Sequence, residues 1–120
     1  MEVLRSRLEQ QLRGFDGTGI IFVMNLKTGE EISINGDVPV SGLSILKIAI
    51  FAQTYRVLDQ PPDEYVQNLL VETATLSSNY AANLLLHIIA GQNNTYEGAA
   101  VLTELVQQLG LVNTFMVLPY

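Results

Sequence analysis

A serine and a lysine stand three residues apart inside an apolar segment of the chain, residues 42–51 (GLSILKIAIF). If this segment is helical, Ser44 and Lys47 lie at positions i and i+3 on one face, within reach of each other. Burying an ammonium group costs free energy unless the group is paired or deprotonated. A hydroxyl beside a desolvated amine is one way to make a nucleophile, so the pair predicts covalent catalysis.

Two simpler explanations of this pair stay open. With six serines and two lysines in 120 residues, the spacing S-x-x-K is expected by chance about 0.1 times. Lys47 could also extend its ammonium group to solvent from a half-buried helix, which is the commoner fate of such a lysine. The choice between these explanations and a catalytic pair depends on whether other polar residues of the chain could complete a site.

A second polar group, residues 77–79 (SSN), precedes a strongly apolar segment, residues 80–90 (YAANLLLHIIA). A segment that is apolar nearly all round is typical of a buried helix, and the polar group lies at the N-terminal end of that helix. Its short side chains could face the serine–lysine pair from another element. The S-x-N pattern alone is not specific, because residues 33–35 match it too.

The N-terminal part of the chain predicts one helix and a β-hairpin. Leucines recur every four residues over residues 2–13, with charged residues between them, which indicates an amphipathic helix ended near Gly14. Residues 19–26 (GIIFVMNL) predict a strand, apolar enough to be buried on both faces. Residues 27–30 (KTGE) have turn composition, and residues 31–34 (EISI) alternate as the returning strand.

The rest of the chain predicts four helices. The first covers about 44–58 and carries the serine–lysine pair. The second begins with the prolines and acids of residues 61–64, where a first turn favours them. The third is the central buried helix over residues 80–90, and the last is amphipathic and covers residues 97–109.

Composition excludes several classes of protein. The chain is 48% hydrophobic and 15% charged, against roughly 25% charged in a typical soluble domain, which suggests apolar surface that something else covers. A net charge of −6 without a basic cluster argues against nucleic acid as a partner. The absence of cysteine excludes disulfides and thiol catalysis, and a single histidine, His87, excludes a multi-histidine metal site. We therefore expect no metal, no cofactor and no membrane span.

The order and context of these motifs resemble the serine β-lactamase and penicillin-binding-protein superfamily, closest to class A β-lactamases. Residues 44–47 (SILK) match the S-x-x-K that opens the family's central helix. Residues 77–79 match its S-x-N loop, and residues 81–86 (AANLLL) match the helix behind that loop. The leading helix, the hairpin and the loop before Ser44 also fall in the family's order, so the resemblance covers nearly the whole chain.

The resemblance implies a role for each residue that matches a motif. Ser44 would be the nucleophile that forms an acyl-enzyme, and its backbone N–H would supply half of an oxyanion hole. Lys47 would be the general base. In class A enzymes this role is disputed, because a carboxylate that acts through a water molecule is the other candidate. Ser77 would relay a proton to the leaving nitrogen, and Asn79 would orient the substrate amide and Lys47. Asn83 would hold local backbone rather than touch substrate.

The chain also departs from the family pattern. Residues 27–29 spell the family's K-T-G, but they precede Ser44 and lie in a hairpin turn, so we interpret them as turn chemistry. The class A deacylating glutamate and its E-x-x-x-N neighbourhood are not found, and Glu97 and Glu104 are expected to be solvated. Ser78 stands where class A enzymes usually have an aspartate. The replacement at Ser78 bears on turnover of the acyl-enzyme and not on its formation. The lack of the K-[ST]-G strand and of the class A glutamate leaves open whether the 120-residue chain is active by itself.

The resemblance implies an α+β, mostly helical fold that corresponds to the N-terminal part of the β-lactamase/transpeptidase-like fold. We expect a single incomplete domain over residues 1–120, in which residues 1–42 form the helix and hairpin and residues 43–120 form the helical part. In the resembled fold, further C-terminal strands pair beside the first strand and carry the K-[ST]-G triad. We therefore expect the chain to associate with a complementary C-terminal segment or with itself, or to be a piece of a longer protein. A monodisperse monomer in light scattering that unfolds cooperatively would contradict this expectation.

The implied activity is that of a β-lactamase-like serine hydrolase acting on β-lactams or peptidoglycan-like peptides. A D,D-peptidase is the alternative within the superfamily. The alternative that is not an enzyme is a binding or interaction module, which keeps the fold but lacks the complete catalytic site. We expect a bacterial, extracytoplasmic protein, secreted or periplasmic, although the N-terminus shows no signal peptide.

Overall fold

A computed structural model describes residues 1–120, of which 55% lie in helices. The chain forms two compact units, Met1–Ser41 and Gly42–Tyr120. None of the helices has the length and apolar content needed to cross a bilayer. The architecture is the predicted α+β, mostly helical one, and its elements are α1 (Glu2–Arg13), β1 (Ile21–Met24), β2 (Glu31–Ile34), a 3-10 turn (Leu43–Leu46), α2 (Lys47–Val57), α3 (Glu64–Leu76), α4 (Asn79–Ala90) and α5 (Thr95–Gln108).

The hairpin of the first unit closes through a turn fixed by one asparagine side chain. Asn25 Oδ1 accepts hydrogen bonds from the backbone N–H groups of Lys27, at 3.0 Å, and Thr28, at 3.4 Å. Gly29 completes the turn with φ at +72°, a conformation that glycine adopts without a steric penalty. The interpretation of residues 27–29 as a turn is therefore confirmed.

The first strand is not buried on both faces, so that prediction was wrong. Antiparallel pairing sets Ile21 opposite Ile34, and alternate side chains of the hairpin point to opposite faces. Ile32 on one face is 1% exposed, whereas Phe22 and Met24 on the strand beside it are 60% and 42% exposed. A sheet of two strands covers neither its own edges nor its second face, so apolar side chains remain open to solvent.

Helix α1 has the predicted bounds and ends at Gly14. None of its residues is buried. The Nη2 group of Arg5 donates a 3.2 Å hydrogen bond to the carbonyl oxygen of Ser33, which ties this helix to β2. The other branch of the guanidinium lies 3.4 Å from Glu9, four residues along the helix.

The core of the second unit is built around α4, which contacts α2, α3 and α5. The prediction of a central buried helix is confirmed, because its inward residues are at most 5% exposed. Gly98 lets α5 lie close to α4, since a Cβ at this position would overlap the carbonyl oxygen of Leu86. The inward residues of α4 are Ala81, Ala82, Leu85, Leu86 and Ile89.

Helix boundaries in the second unit differ from the predicted ones where polar side chains cap the ends. Asp63 lies outside α3 as its N-cap, accepting a 2.8 Å hydrogen bond from the N–H of Val66. Asn94 caps α5 in the same manner, so this helix begins at Thr95 rather than residue 97. Ser44 lies in the 3-10 turn before α2, so the predicted continuous helix begins with a tighter turn.

Candidate functional site

Ser44 is presented by a turn with an unusual backbone. Leu43, directly before it, has φ at +41°, in the left-handed region that bulky side chains rarely adopt. The serine is exposed on the 3-10 turn, and Lys47 is the first residue of α2. The spacing of three residues brings Lys47 Nζ to 3.2 Å from Ser44 Oγ, as predicted.

The amine of Lys47 is buried and fully paired. The residue is 3% exposed, so the alternative in which its side chain reaches solvent is wrong. Nζ donates to the carbonyl oxygen of Ser77 at 2.6 Å and to Asn79 Oδ1 at 2.7 Å. Ser77 Oγ and Ser44 Oγ lie at 3.0 and 3.2 Å from the same nitrogen. All four partners are neutral oxygens, and together they replace the water that burial removes.

The junction between α3 and α4 places two polar residues against Lys47. Ser77 ends α3 with φ at +52° and ψ at +35°, a left-handed cap. Ser78 caps α4 by accepting a 3.1 Å hydrogen bond from the N–H of Ala81. The middle residue of the S-S-N group therefore starts the helix, which leaves Ser77 and Asn79 on either side of it to contact the lysine.

The two serine hydroxyls complete a closed set of hydrogen bonds. Ser77 Oγ lies 3.0 Å from Ser44 Oγ, and both lie near Lys47 Nζ. The carbonyl oxygen of Ser77 and the amide oxygen of Asn79 can only accept, so they engage two N–H donors of the amine. The two serine hydroxyls are the remaining neighbours of Nζ, and a hydroxyl can both donate and accept a hydrogen bond.

A further side chain, Tyr120, contacts this group from the segment that follows α5. Its ring centroid is 4.5 Å from Lys47 Nζ, within the range of a cation–π interaction. Its hydroxyl donates a 2.8 Å hydrogen bond to the carbonyl oxygen of Leu43. Burial raises the pKa of the Tyr120 phenol above its ordinary value, which keeps the hydroxyl a donor.

Asn83 holds the backbone of Tyr120 with both ends of its amide. Its Nδ2 donates to the carbonyl oxygen of Tyr120 at 2.6 Å, and its Oδ1 accepts from the N–H of Tyr120 at 3.0 Å. Asn83 was predicted to hold local backbone. The contact with backbone is confirmed, although its partner lies 37 residues along the chain.

Comparison with protein families decides which class of protein carries this site. Residues 3–62, half of the chain, match the model of the beta-lactamase enzyme family. The chain belongs to this β-lactamase family. The matched segment includes Ser44 and Lys47 and ends before Ser77 and Asn79. No curated protein and no solved structure matches the chain. The order of leading helix, hairpin and helical part agrees with the N-terminal part of the β-lactamase fold.

Several residues that the sequence brought to attention contribute nothing to the β-lactamase-family site. Glu97 and Glu104 are exposed on α5, as expected. Tyr80 and Tyr96 are 73% and 65% exposed. No three carboxylate or histidine side chains are placed to hold a metal ion.

Proposed function

We propose that this β-lactamase-family protein is a serine hydrolase that forms an acyl-enzyme on Ser44 with β-lactams or related peptides. The observation that supports the proposal is the closed hydrogen-bond set of Ser44 Oγ, Lys47 Nζ and Ser77 Oγ, with separations of 3.0 to 3.2 Å. A nucleophile, a base and a proton relay in mutual contact are what acyl transfer requires. Ser44 is also exposed, so a carbonyl group can approach it.

Acylation begins with attack of Ser44 Oγ on the carbonyl carbon of the substrate. The hydroxyl proton moves to Lys47 Nζ, 3.2 Å away, while the carbonyl electrons move to the oxygen. Lys47 acts here as the neutral amine and becomes an ammonium. The backbone N–H of Ser44 supplies one hydrogen-bond donor for the developing oxyanion. The negative charge on this oxygen is the main contribution to the free-energy barrier of the step.

Collapse of this intermediate breaks the carbon–nitrogen bond of the substrate. The proton held on Lys47 passes to Ser77 Oγ, 3.0 Å away, as Ser77 gives its own proton to the leaving nitrogen. In a β-lactam the nitrogen stays attached through the opened ring, and in a peptide it leaves as an amine. Water then cleaves the ester, which restores the Ser44 hydroxyl and releases a carboxylate.

Asn79 has two functions in this proposal because its amide has two ends. Oδ1 holds Lys47 Nζ at 2.7 Å, which fixes the base. The Nδ2 group is left to donate to the amide carbonyl of a bound substrate, and the residue is exposed. An amide is the side chain that accepts from a lysine and donates to a substrate at once.

Labelling with a fluorescent penicillin tests the proposal. The full chain is incubated with the reagent, denatured and separated on a gel, and mass spectrometry locates the adduct. We expect a covalent label on wild type and on Ser41→Ala, a control that removes an exposed serine three residues before Ser44. Ser44→Ala should carry no label, and Lys47→Met should be labelled at least about a hundredfold more slowly.

The outcomes separate the candidate functions. A label on wild type that survives in Ser44→Ala, or no label at all, would refute the acyl-enzyme and favour the non-catalytic module. Where the label forms, release of product from a chromogenic cephalosporin indicates a β-lactamase, and a persistent acyl-enzyme indicates penicillin-binding activity of the D,D-peptidase type. Because such substrates occur at the bacterial cell wall, we also propose an extracytoplasmic location.

A further inference from the structure

We propose that Tyr120 is a positioning residue of the acylation site, which holds the turn before Ser44 and the amine of Lys47 in one arrangement. The inference rests on the proposed function, since it concerns the residues assigned to acyl transfer. Neither the S-x-x-K nor the S-x-N pattern includes this tyrosine. Its role follows from three contacts that join it to Lys47, Leu43 and Asn83.

The first two contacts reach the nucleophile and the base from one side chain. The ring lies 4.5 Å from Lys47 Nζ, and the hydroxyl hydrogen bonds at 2.8 Å to the carbonyl oxygen of Leu43. That carbonyl belongs to the peptide bond that leads into Ser44. Tyr120 therefore links the backbone of the nucleophile to the head group of the base.

The strain in the turn gives the hydroxyl contact its importance. Leu43 has φ at +41°, and its side chain is 73% exposed, so packing of the side chain does not hold this conformation. A non-glycine residue stays in the left-handed region only where surrounding contacts fix it. The hydrogen bond from Tyr120 is a side-chain contact of this kind, and loss of it would free the turn that presents Ser44.

The third contact fixes the tyrosine itself. The two hydrogen bonds between Asn83 and the backbone of Tyr120, at 2.6 and 3.0 Å, attach it to α4. Asn79 lies one turn earlier on the same helix and holds Lys47. A single rigid helix thus controls both the base and the residue that covers it.

The geometry assigns Tyr120 to positioning rather than to proton transfer. Its hydroxyl is directed to a backbone carbonyl that carries no proton, and it makes no hydrogen bond to either serine. Its ring face lies 4.5 Å from the amine and has no acidic or basic atom that could take part in proton transfer. Loss of the residue should therefore change the rate of acylation and leave the non-covalent affinity for substrate unaltered.

A nuclear magnetic resonance measurement tests the contact without any substrate. The chain has two lysines, so ¹³Cε-lysine labelling gives two methylene signals, and Lys27→Arg assigns them. We expect the Lys47 signal of wild type to be displaced upfield by the ring current of Tyr120. Tyr120→Phe should keep the displacement and Tyr120→Leu should lose it. Equal positions in wild type and Tyr120→Leu would overturn the inference.

Acylation kinetics with the fluorescent penicillin test the consequence. Tyr120→Phe should acylate roughly tenfold more slowly and Tyr120→Leu roughly a hundredfold more slowly, with the non-covalent dissociation constant unchanged. Tyr96→Leu, which removes an exposed tyrosine from α5, should acylate as wild type does. Circular dichroism melts verify that each variant is folded, and Tyr120→Phe keeps the test decisive if Tyr120→Leu is not.

A double-mutant cycle connects Asn83 to the same function. Asn83→Ala should slow acylation about as much as Tyr120→Leu, and the double variant should be no slower than either. If the two substitutions slowed acylation independently, so that their factors multiplied in the double variant, Asn83 would not act through Tyr120. Absence of label on wild type would refute the proposed acyl transfer, while the lysine spectrum would still report whether Tyr120 covers Lys47. Labelled wild type with unaltered rates in both tyrosine variants would refute only the positioning role.

Discussion

The side-chain oxygen of Asn79 accepts a 2.7 Å hydrogen bond from the amine of Lys47, 32 residues earlier in the chain. This contact joins the first residue of α4 to the first residue of α2. Like the other three contacts of Lys47 Nζ, it pairs the buried lysine with an uncharged oxygen. The stability of the second unit and its chemistry are therefore linked through one nitrogen atom, and substitutions on either side of the contact should have unequal effects.

Asn79→Ala should lower the free energy of unfolding by roughly 1–3 kcal/mol. The substitution removes the 2.7 Å hydrogen bond from Asn79, one of the two shortest that the buried amine makes, and the loss of a hydrogen bond to a buried polar group costs free energy of this order. Chemical denaturation monitored by circular dichroism measures the change. Asn68→Ala, which removes an exposed asparagine from α3, is the matched control and should stay within about 0.5 kcal/mol of wild type.

Lys47→Met should cost less stability than Asn79→Ala, although it removes the residue at the centre of the site. Methionine keeps nearly the length of the side chain and removes the buried polar head group, so no desolvated amine has to be compensated by hydrogen bonds. The released acceptors on Ser77 and Asn79 belong to exposed residues and can bind water. We expect a free energy of unfolding equal to wild type within about 1 kcal/mol, together with loss of labelling. A larger loss than that of Asn79→Ala would show that the hydrogen bonds of the amine outweigh the cost of burying it.

Ser77→Gly and Ser77→Ala should differ in stability and agree in activity. Both lack the hydroxyl that relays the proton, so both should acylate at least about a hundredfold more slowly than wild type. The left-handed backbone of Ser77, with φ at +52°, suits glycine and strains alanine. The glycine variant should therefore be more stable than the alanine variant by roughly 1 kcal/mol. Equal midpoints of denaturation for the two variants would show that the backbone at the C-terminal cap of α3 relaxes to accommodate alanine.

The periodic and polar patterns of the sequence predicted most of the second unit. The central helix followed from the unbroken apolar segment, and the contact of Ser44 with Lys47 followed from their spacing. Ser77 and Asn79 were predicted on the order of motifs, and the structure brings both to Lys47. These features depend on local sequence, which carries helix periodicity and capping information.

Other features depend on residues far apart in sequence and were not predictable. Tyr120 contacts Leu43 across 77 residues, and the segment that carries the tyrosine has no periodic pattern. The one available signal was Asn83, a polar residue one turn after Asn79 in an otherwise apolar helix. The exposure of Phe22 was missed for a related reason, because an apolar strand indicates burial only where a second layer covers it.

Gly98→Ala should destabilise the second unit by roughly 1–3 kcal/mol. The added Cβ would overlap the carbonyl oxygen of Leu86 on α4, and a backbone atom cannot rotate away as a side chain can. Thermal denaturation followed by circular dichroism measures the loss. Gly14→Ala makes the same chemical change where the nearest atom to the new Cβ, the carbonyl oxygen of Gln11, is 3.7 Å away. That control should melt as wild type does, and a stable Gly98→Ala would show that the two helices can separate at low cost.

High pH should destabilise the wild-type protein through Tyr120. Burial raises the pKa of its phenol above the ordinary value of 10.0. The unfolded chain therefore releases this proton at lower pH than the folded chain, so the stabilising contribution is complete below about pH 10 and is lost as pH rises through the folded-state pKa. Ionisation also removes the donor that hydrogen bonds to the carbonyl oxygen of Leu43.

Melting temperatures of wild type and Tyr120→Phe between pH 8 and pH 11 measure this contribution. The other four tyrosines are common to both proteins, so the difference between the two curves isolates Tyr120. Wild type should be the more stable protein at pH 8, because it has the hydrogen bond to Leu43. Its advantage should shrink above pH 10, since the phenylalanine variant has no proton to lose at this position. A constant difference across the whole range would contradict both the burial of the phenol and its role as a donor.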